Sequence, residues 1–307
     1  MTPIATALAA VTVGQPKNAG RLTVFPLLGS SDAPPRYMLL DDALGKGLVQ
    51  VTETSTSGSV PELRFENRSD QPVLIVDGEA LVGAKQNRIV NISILVPPQS
   101  ITPIPVSCVE RGRWSYDRPD FRSADHVLYS KSRAQKARHV SASLRASGRA
   151  RADQGAIWND ITAKSHRMAV ESHSEAMDAL FAKTHQDLEN FEPQLHPVIN
   201  QIGAVFALDG HIVGLEVFDT VDTWQRLSRK VCRSYGLDAL DAGTRVHDEP
   251  NNIHGWLQMV AAAPVAQFPS IGLGQDARFE HPRVSGGALV VGETMIHCAA
   301  FNAAAWR

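Results

Sequence analysis

Strand-like runs come in a block at the start of this chain. RLTVFPLL, LVQVTET, ELRFEN, QPVLIV, RIVNISILV and TPIPVSCVE succeed one another between Arg21 and Glu110. Each is short and rich in β-branched residues, and Gly, Pro, Asn and Asp punctuate the series. That pattern predicts strands. One short helix is expected among them at LDDALGKG, capped by Asp41 or Asp42 and stopped by Gly45 or Gly47.

From about Ser130 to Leu195 the composition changes to Ala, Arg, Ser, Glu and Gln. Ile157, Ile161, Met168 and Ala169 fall at helical spacing, as do Met177, Leu180, Phe181, Leu188 and Phe191. Strands then return: IGAVFALDGHIVGLEVFD is two apolar runs joined by Asp209-Gly210, a hairpin signal. TWQRLSRKVCRSYGL predicts a helix ending at Gly236, NIHGWLQMVAAA another, and GGALVVGETMIHCAAF a strand pair bent at Gly292 or Glu293. Strands in blocks, with helices in blocks, predict an α+β fold. The expectation is a single α+β domain over residues 1–307, with a mostly antiparallel sheet core and a helix-rich insertion or lid near 125–195.

The net charge of -2 and pI near 6.6 argue against a dedicated nucleic-acid or membrane-surface protein. No apolar run approaches the ~20 residues of a spanning helix, and the start lacks the basic region of a signal peptide. Cys108, Cys232 and Cys298 are widely spaced without a CxxC, which fits reduced thiols in a cytoplasmic protein.

One passage resists the core-building pattern. GEALVGAKQNRIV, Gly78 to Val90, places Glu79 between glycines and then Lys85, Gln86, Asn87 and Arg88 in an unbroken polar run, with VLIV before it and IVNISILV beyond. Strand side chains alternate between faces, so an extended Arg88 continues the row Val90, Ile92 and Ile94. Glu110 continues Ile104, Val106 and Cys108. Glu216 shares a face with Ile212, Gly214 and Phe218, and Leu289 and Val291 lead to Glu293. A lone buried charge is costly, so each needs a partner. Either the charges brace one another, or the rows end at one rim and converge on a pocket. Small residues at Gly78, Gly83 and Ala84 suit the close approach of a ligand or of a second backbone.

GEALVGAKQNRIVNISILVPPQS followed by IPVSCVERGRW resembles the signature of the ADP-ribosylglycohydrolase- and rhodanese-phosphatase-associated domain family. VGLEVFD, SYGLDAL and the terminal GETMIHCAAF are similar to later blocks of that family, in the same order. The likeness runs from about Arg21 to Phe301 and implies a role around NAD or ADP-ribose metabolism. It places Lys85, Gln86, Asn87, Arg88, Glu110, Arg111 and Trp114 in the family signature without assigning them roles.

The chemistry of these residues suggests an anionic, nucleotide-like ligand. Lys85 and Arg88 suit a phosphate or carboxylate, with amide contacts from Gln86 and Asn87 and Glu79 close by. Arg111 and Trp114 open ERGRWSYDRPDFRS, where basic and aromatic residues interleave as they do around nucleotides; a loop leaving the sheet accounts for the same letters. The basic run continues through Arg133, Lys136, Arg138, Arg145, Arg149 and Arg151 as a solvated helical face or flexible arm. Glu110, Glu216 and Glu293 are the candidates for general acid, base or metal ligand, and carboxylates grouped in a cleft would suit glycosidic or N-glycosidic bond hydrolysis. No P-loop, Rossmann fingerprint, HExxH or GxSxG is present, and no cofactor is indicated. HDEPNNIH groups His247, Asp248, Glu249 and His254, but a helix start capped by Asp248 or Asn251 explains it, so no metal site is read. The competing reading is a non-catalytic interaction module, whose charges are structural ion pairs and whose Arg-rich arm meets a protein partner.

Overall fold

The computed structural model describes residues 1–29, 35–55, 58, 61–245 and 252–306. After helix α1 (Pro3–Ala9) come strands β1 (Thr12–Val13), β2 (Lys17–Ala19), β3 (Leu22–Leu28) and β4 (Met38–Leu39), then helix α2 (Leu40–Gly45). Strands β5 (Val49–Glu53), β6 (Glu62–Asn67), β7 (Val73–Ile75), β8 (Glu79–Gly83), β9 (Arg88–Val90), β10 (Ile94–Val96), β11 (Ser100–Cys108) and β12 (Phe121–Val127) follow. Helices α3 (Ser130–Ser147), α4 (Gln154–Arg167), α5 (Asp178–Lys183) and α6 (His185–Leu195) form the middle. The chain closes with β13 (Gln201–Leu208), β14 (His211–Phe218), α7 (Val221–Leu240), α8 (Ile253–Ala262), β15 (Val265–Pro269), β16 (Gln275–Phe279), β17 (Val284–Val291) and β18 (Thr294–Asn302). This is an α+β fold. Among the described residues, every strand pairing is antiparallel except β4 with β7. No described helix is long and apolar enough to cross a membrane.

A nine-stranded sheet runs β1-β3-β13-β14-β18-β17-β16-β15, with β2 also on β3. Its centre is the predicted hairpin. Asp209 and Gly210 both take positive φ (49° and 82°), the backbone that a tight two-residue turn between twisted strands requires. A bulge opposite Phe206 and Ala207 shifts the pairing in β14. Ile212 therefore packs with Leu215 and Val217, and Val213 joins Phe218. The simple alternation expected for this strand fails at that point, because a bulge adds a residue to one side of the ladder.

The second sheet has the order β12-β8-β9-β11-β6-β5, and a small β10-β7-β4 sheet lies beside it. Val49, Val51, Leu63, Phe65, Leu81, Val90, Ile104, Val106 and Phe121 form one apolar cluster on its inner face. The sheet is curled: its edge strands β5 and β12 come close enough to line one cleft of about 600 Å³, with Val49 and Val51 on one wall and Phe121 and Ser123 on the other. The row Arg88, Val90, Ile92, Ile94 is broken at Asn91–Ser93, because β9 pairs with β11 whereas β10 leaves for β7. At this break Lys136 Nζ donates to the carbonyls of Val90 and Asn91, and Ser93 Oγ accepts from the Asp77 amide.

Several expectations for the helices need correction. Helix α3 joins both main apolar clusters, through Ala134 and Ala137 on one side and Val140 and Leu144 on the other. Arg133 and Lys136 are fully buried there, and neither belongs to a solvated arm; Arg145, Arg149 and Arg151 are exposed as expected. Helix α7 runs through Gly236 to Leu240. A Cβ at Gly236 would meet Leu188 at 2.8 Å, so this glycine makes room for α6. Asp41 and Asp42 lie in the first turn of α2 and bond Lys230 and Arg226, while Leu39 holds the cap position. Asn252 caps α8 through the Gly255 amide. His247, Asp248, Glu249 and Asn251 lie outside the described residues. Strand β12 occupies residues expected as a loop, and α1 was not foreseen.

Candidate functional site

Residues Ala84 to Asn87 turn the chain from β8 into β9, and Asn87 is the spine of that turn. Its Oδ1 accepts from the Gly83 amide at 3.1 Å, its own amide donates to Glu110 Oε2 at 3.0 Å, and its Nδ2 donates to Asp178 at 2.5 Å. Arg113 ties the same turn to Glu110 (2.7 Å) and to the Ala84 carbonyl (2.6 Å). Ser174 Oγ donates to the other Glu110 oxygen at 2.7 Å. Glu110 is thus held by three partners and acts as the brace of the turn.

With the turn fixed, Arg88 pairs across the sheet with Leu81 on one side and Cys108 on the other. Directly paired residues share a face, so its side chain enters the curled sheet above Val90. Glu53 arrives at the same end, two residues past Val51. Arg88 and Glu53 face each other at 3.8 Å, with side chains 0% and 3% exposed. Arg88 Nη1 donates to Gln86 at 2.9 Å. Among the described residues, Arg88 Nε and Nη2 and both Glu53 oxygens have no hydrogen-bond partner. Burial lowers the Arg88 pKa and raises that of the Cys108 thiol.

Aromatic rings stand at this mouth. Trp114 and Tyr116 are 47% and 51% exposed. The Arg88 guanidinium lies 5.6 Å from the Trp114 ring, and Lys85 Nζ lies 5.4 Å from Trp114 and 5.1 Å from Tyr116. A Cβ at Gly58 would touch Trp114, Lys85 and Glu53 at 3.1–3.4 Å, so that position admits little beyond glycine. Arg111 lies to one side, 5.5 Å over the Trp158 ring.

The other charges do not come here. Glu79 is buried against Lys230 (2.6 Å), which also holds Asp41 and Ser123, and burial raises its pKa. Glu216 belongs to a second buried network on the nine-stranded sheet, held by Arg133 at 2.5 Å and by His297 at 2.9 Å. Asp77 completes it with Arg133 (3.1 Å) and Lys136 (2.7 Å). A cavity of about 10 Å³ beside this network has room for about one water. Glu293 is exposed in the β17–β18 turn beside Gly292. The rows that end in charge therefore deliver to separate places, and Lys85, Gln86, Asn87, Arg88, Glu110 and Trp114 are the predicted residues that assemble together. Glu53, Arg113 and Tyr116 join them. Glu53 carries the signal that marked Arg88, since the row Val49, Val51 also ends in a charge. Among the described residues, no group of three or more His, Cys, Asp or Glu is placed to hold a metal ion.

Comparison with curated proteins and with solved structures returns no match. The family model described as ARG and Rhodanese-Phosphatase-superfamily-associated Protein domain matches residues 10–301, and the chain belongs to that family.

Proposed function

We propose that the mouth of the curled sheet binds an anionic, nucleotide-like molecule of the ADP-ribose or NAD class. One observation carries this reading: a buried guanidinium and a buried carboxylate leave four polar atoms without hydrogen bonds, and the guanidinium lies against the ring of the exposed Trp114. Buried polar groups are nearly always paired within a protein, and those that are not call for a functional account. Lys85 and Arg88 supply the positive field that draws an anion, and Trp114 and Tyr116 supply faces on which a base stacks. The family's association with ARG and rhodanese-phosphatase proteins supports the choice of ligand class. Glu79, Glu110 and Glu216 sit in closed hydrogen-bonded pairs, which favours the brace reading for those three, and the proposal rests on none of them.

A thermal-shift screen against ADP-ribose, NAD, AMP and an uncharged sugar tests it. A ligand at a hundred times its Kd adds about 2.7 kcal/mol to stability, or roughly 5 °C for a chain of this size. Arg88→Met should abolish that rise; because it strands only Glu53, which Arg88 meets at 3.8 Å, the ligand-free stability should fall by less than the roughly 3–5 kcal/mol that breaking a closed buried pair costs. No rise with any nucleotide would refute the proposal.

A further inference from the structure

Arg88 is anchored on one side only. Gln86 takes Nη1, which leaves the Nε–Nη2 edge, the two-pronged fork that guanidinium groups present to planar acceptors. Glu53 lies 3.8 Å from Nη2, beyond hydrogen-bond distance, and both of its oxygens stand ready to accept. A donor fork and a pair of acceptors therefore lie side by side, almost sealed from solvent, under the Trp114 ring.

This juxtaposition discriminates between parts of a ligand. A phosphate seated on the Arg88 fork would bring its charge close to the Glu53 carboxylate in a poorly solvated place, where like charges repel strongly. A neutral planar edge carrying an acceptor next to an N–H donor suits both halves at once. Its carbonyl or ring nitrogen accepts from Arg88, and its amino group donates to Glu53. Carboxamides and amino-bearing bases have such an edge, and their flat rings can stack on Trp114.

We propose that Arg88 and Glu53 form a reading pair for an amide-like edge of the ligand, and that the ligand's anionic part lies outward, toward Lys85. This rests on the mouth being a nucleotide site, and it names Glu53 as the residue that sets specificity there.

The test is calorimetric titration of the full chain with matched pairs: nicotinamide mononucleotide against nicotinic acid mononucleotide, and AMP against purine riboside monophosphate, with pyrophosphate alongside. The wild type should bind the amide or amino member of each pair at least about tenfold more tightly, because its partner leaves Glu53 unpaired or repelled. Glu53→Gln should shrink the AMP gap and invert the nicotinamide gap, since a carboxamide next to Arg88 welcomes a carboxylate. Wild-type preference for the acid member or for pyrophosphate, or ratios unmoved by Glu53→Gln, would overturn the reading pair and leave the nucleotide site standing. Binding of none of the nucleotides would overturn both. The wild-type ratios decide the matter even if Glu53→Gln fails to fold, which its melting temperature reports.

Discussion

Replacing Arg133 by methionine is the sharpest perturbation of the buried network. The Arg133 guanidinium is 1% exposed, meets Glu216 Oε1 at 2.5 Å and Asp77 Oδ1 at 3.1 Å, and lies 5.1 Å over the Phe301 ring. Burial lowers its pKa, but Glu216 and Asp77 outweigh that and leave it raised. Methionine keeps most of the length and apolar contact, so little cavity forms, and the loss is chiefly electrostatic. Glu216 would keep only His297 and Tyr235, and Asp77 would keep Lys136. Stranding one partner of a buried pair costs about 3–5 kcal/mol, and here Glu216 loses its arginine while Asp77 loses one of its two cations. Urea unfolding followed by far-ultraviolet circular dichroism should therefore show a loss of at least about 3 kcal/mol with an unchanged slope. A loss below about 1 kcal/mol would refute the claim that this network is sealed and mutually dependent. The contrast with Arg88→Met, where half the guanidinium is already unpaired, makes the comparison informative.

Two further outcomes follow from local geometry. Gly286 sits at φ +124°, and a Cβ there would lie 2.1 Å from the Ala299 carbonyl oxygen of the neighbouring strand. Gly286→Ala should cost roughly 3 kcal/mol from strain and overpacking together, and a melting temperature equal to that of the wild type would contradict the close strand approach. Burial lowers the pKa of His126, but Asp125 and Asp178, at 3.2 and 2.8 Å, outweigh it and hold the ring above its ordinary 6.5. With the folded pKa above the unfolded one, its contribution is complete below about pH 6.5 and is lost as pH rises through the folded value. The stability gap between wild type and His126→Gln should narrow from pH 6 to pH 9 in parallel urea titrations; a widening gap would reverse the sign of the argument.

The amino-acid order by itself determined the block arrangement of strands and helices, the Asp209-Gly210 hairpin and the parity that buries Arg88, Glu110 and Glu216. These are local properties, fixed by turn chemistry and by alternation along a few residues. The same parity at Val49, Val51 and Glu53 was equally readable there. Tertiary structure alone decided where each buried charge finds its partner. Lys136 reaches the carbonyls of Val90 and Asn91 from a distant helix, at the point where β9 stays on β11 and β10 departs for β7, although the apolar pattern runs on unbroken. The curl of the six-stranded sheet brings Glu53 to Arg88 across two intervening strands, whereas Glu216 is closed off with Arg133 and Glu293 is left at an exposed turn. Periodicity says which face a charge occupies; only the packing of distant elements says what it meets.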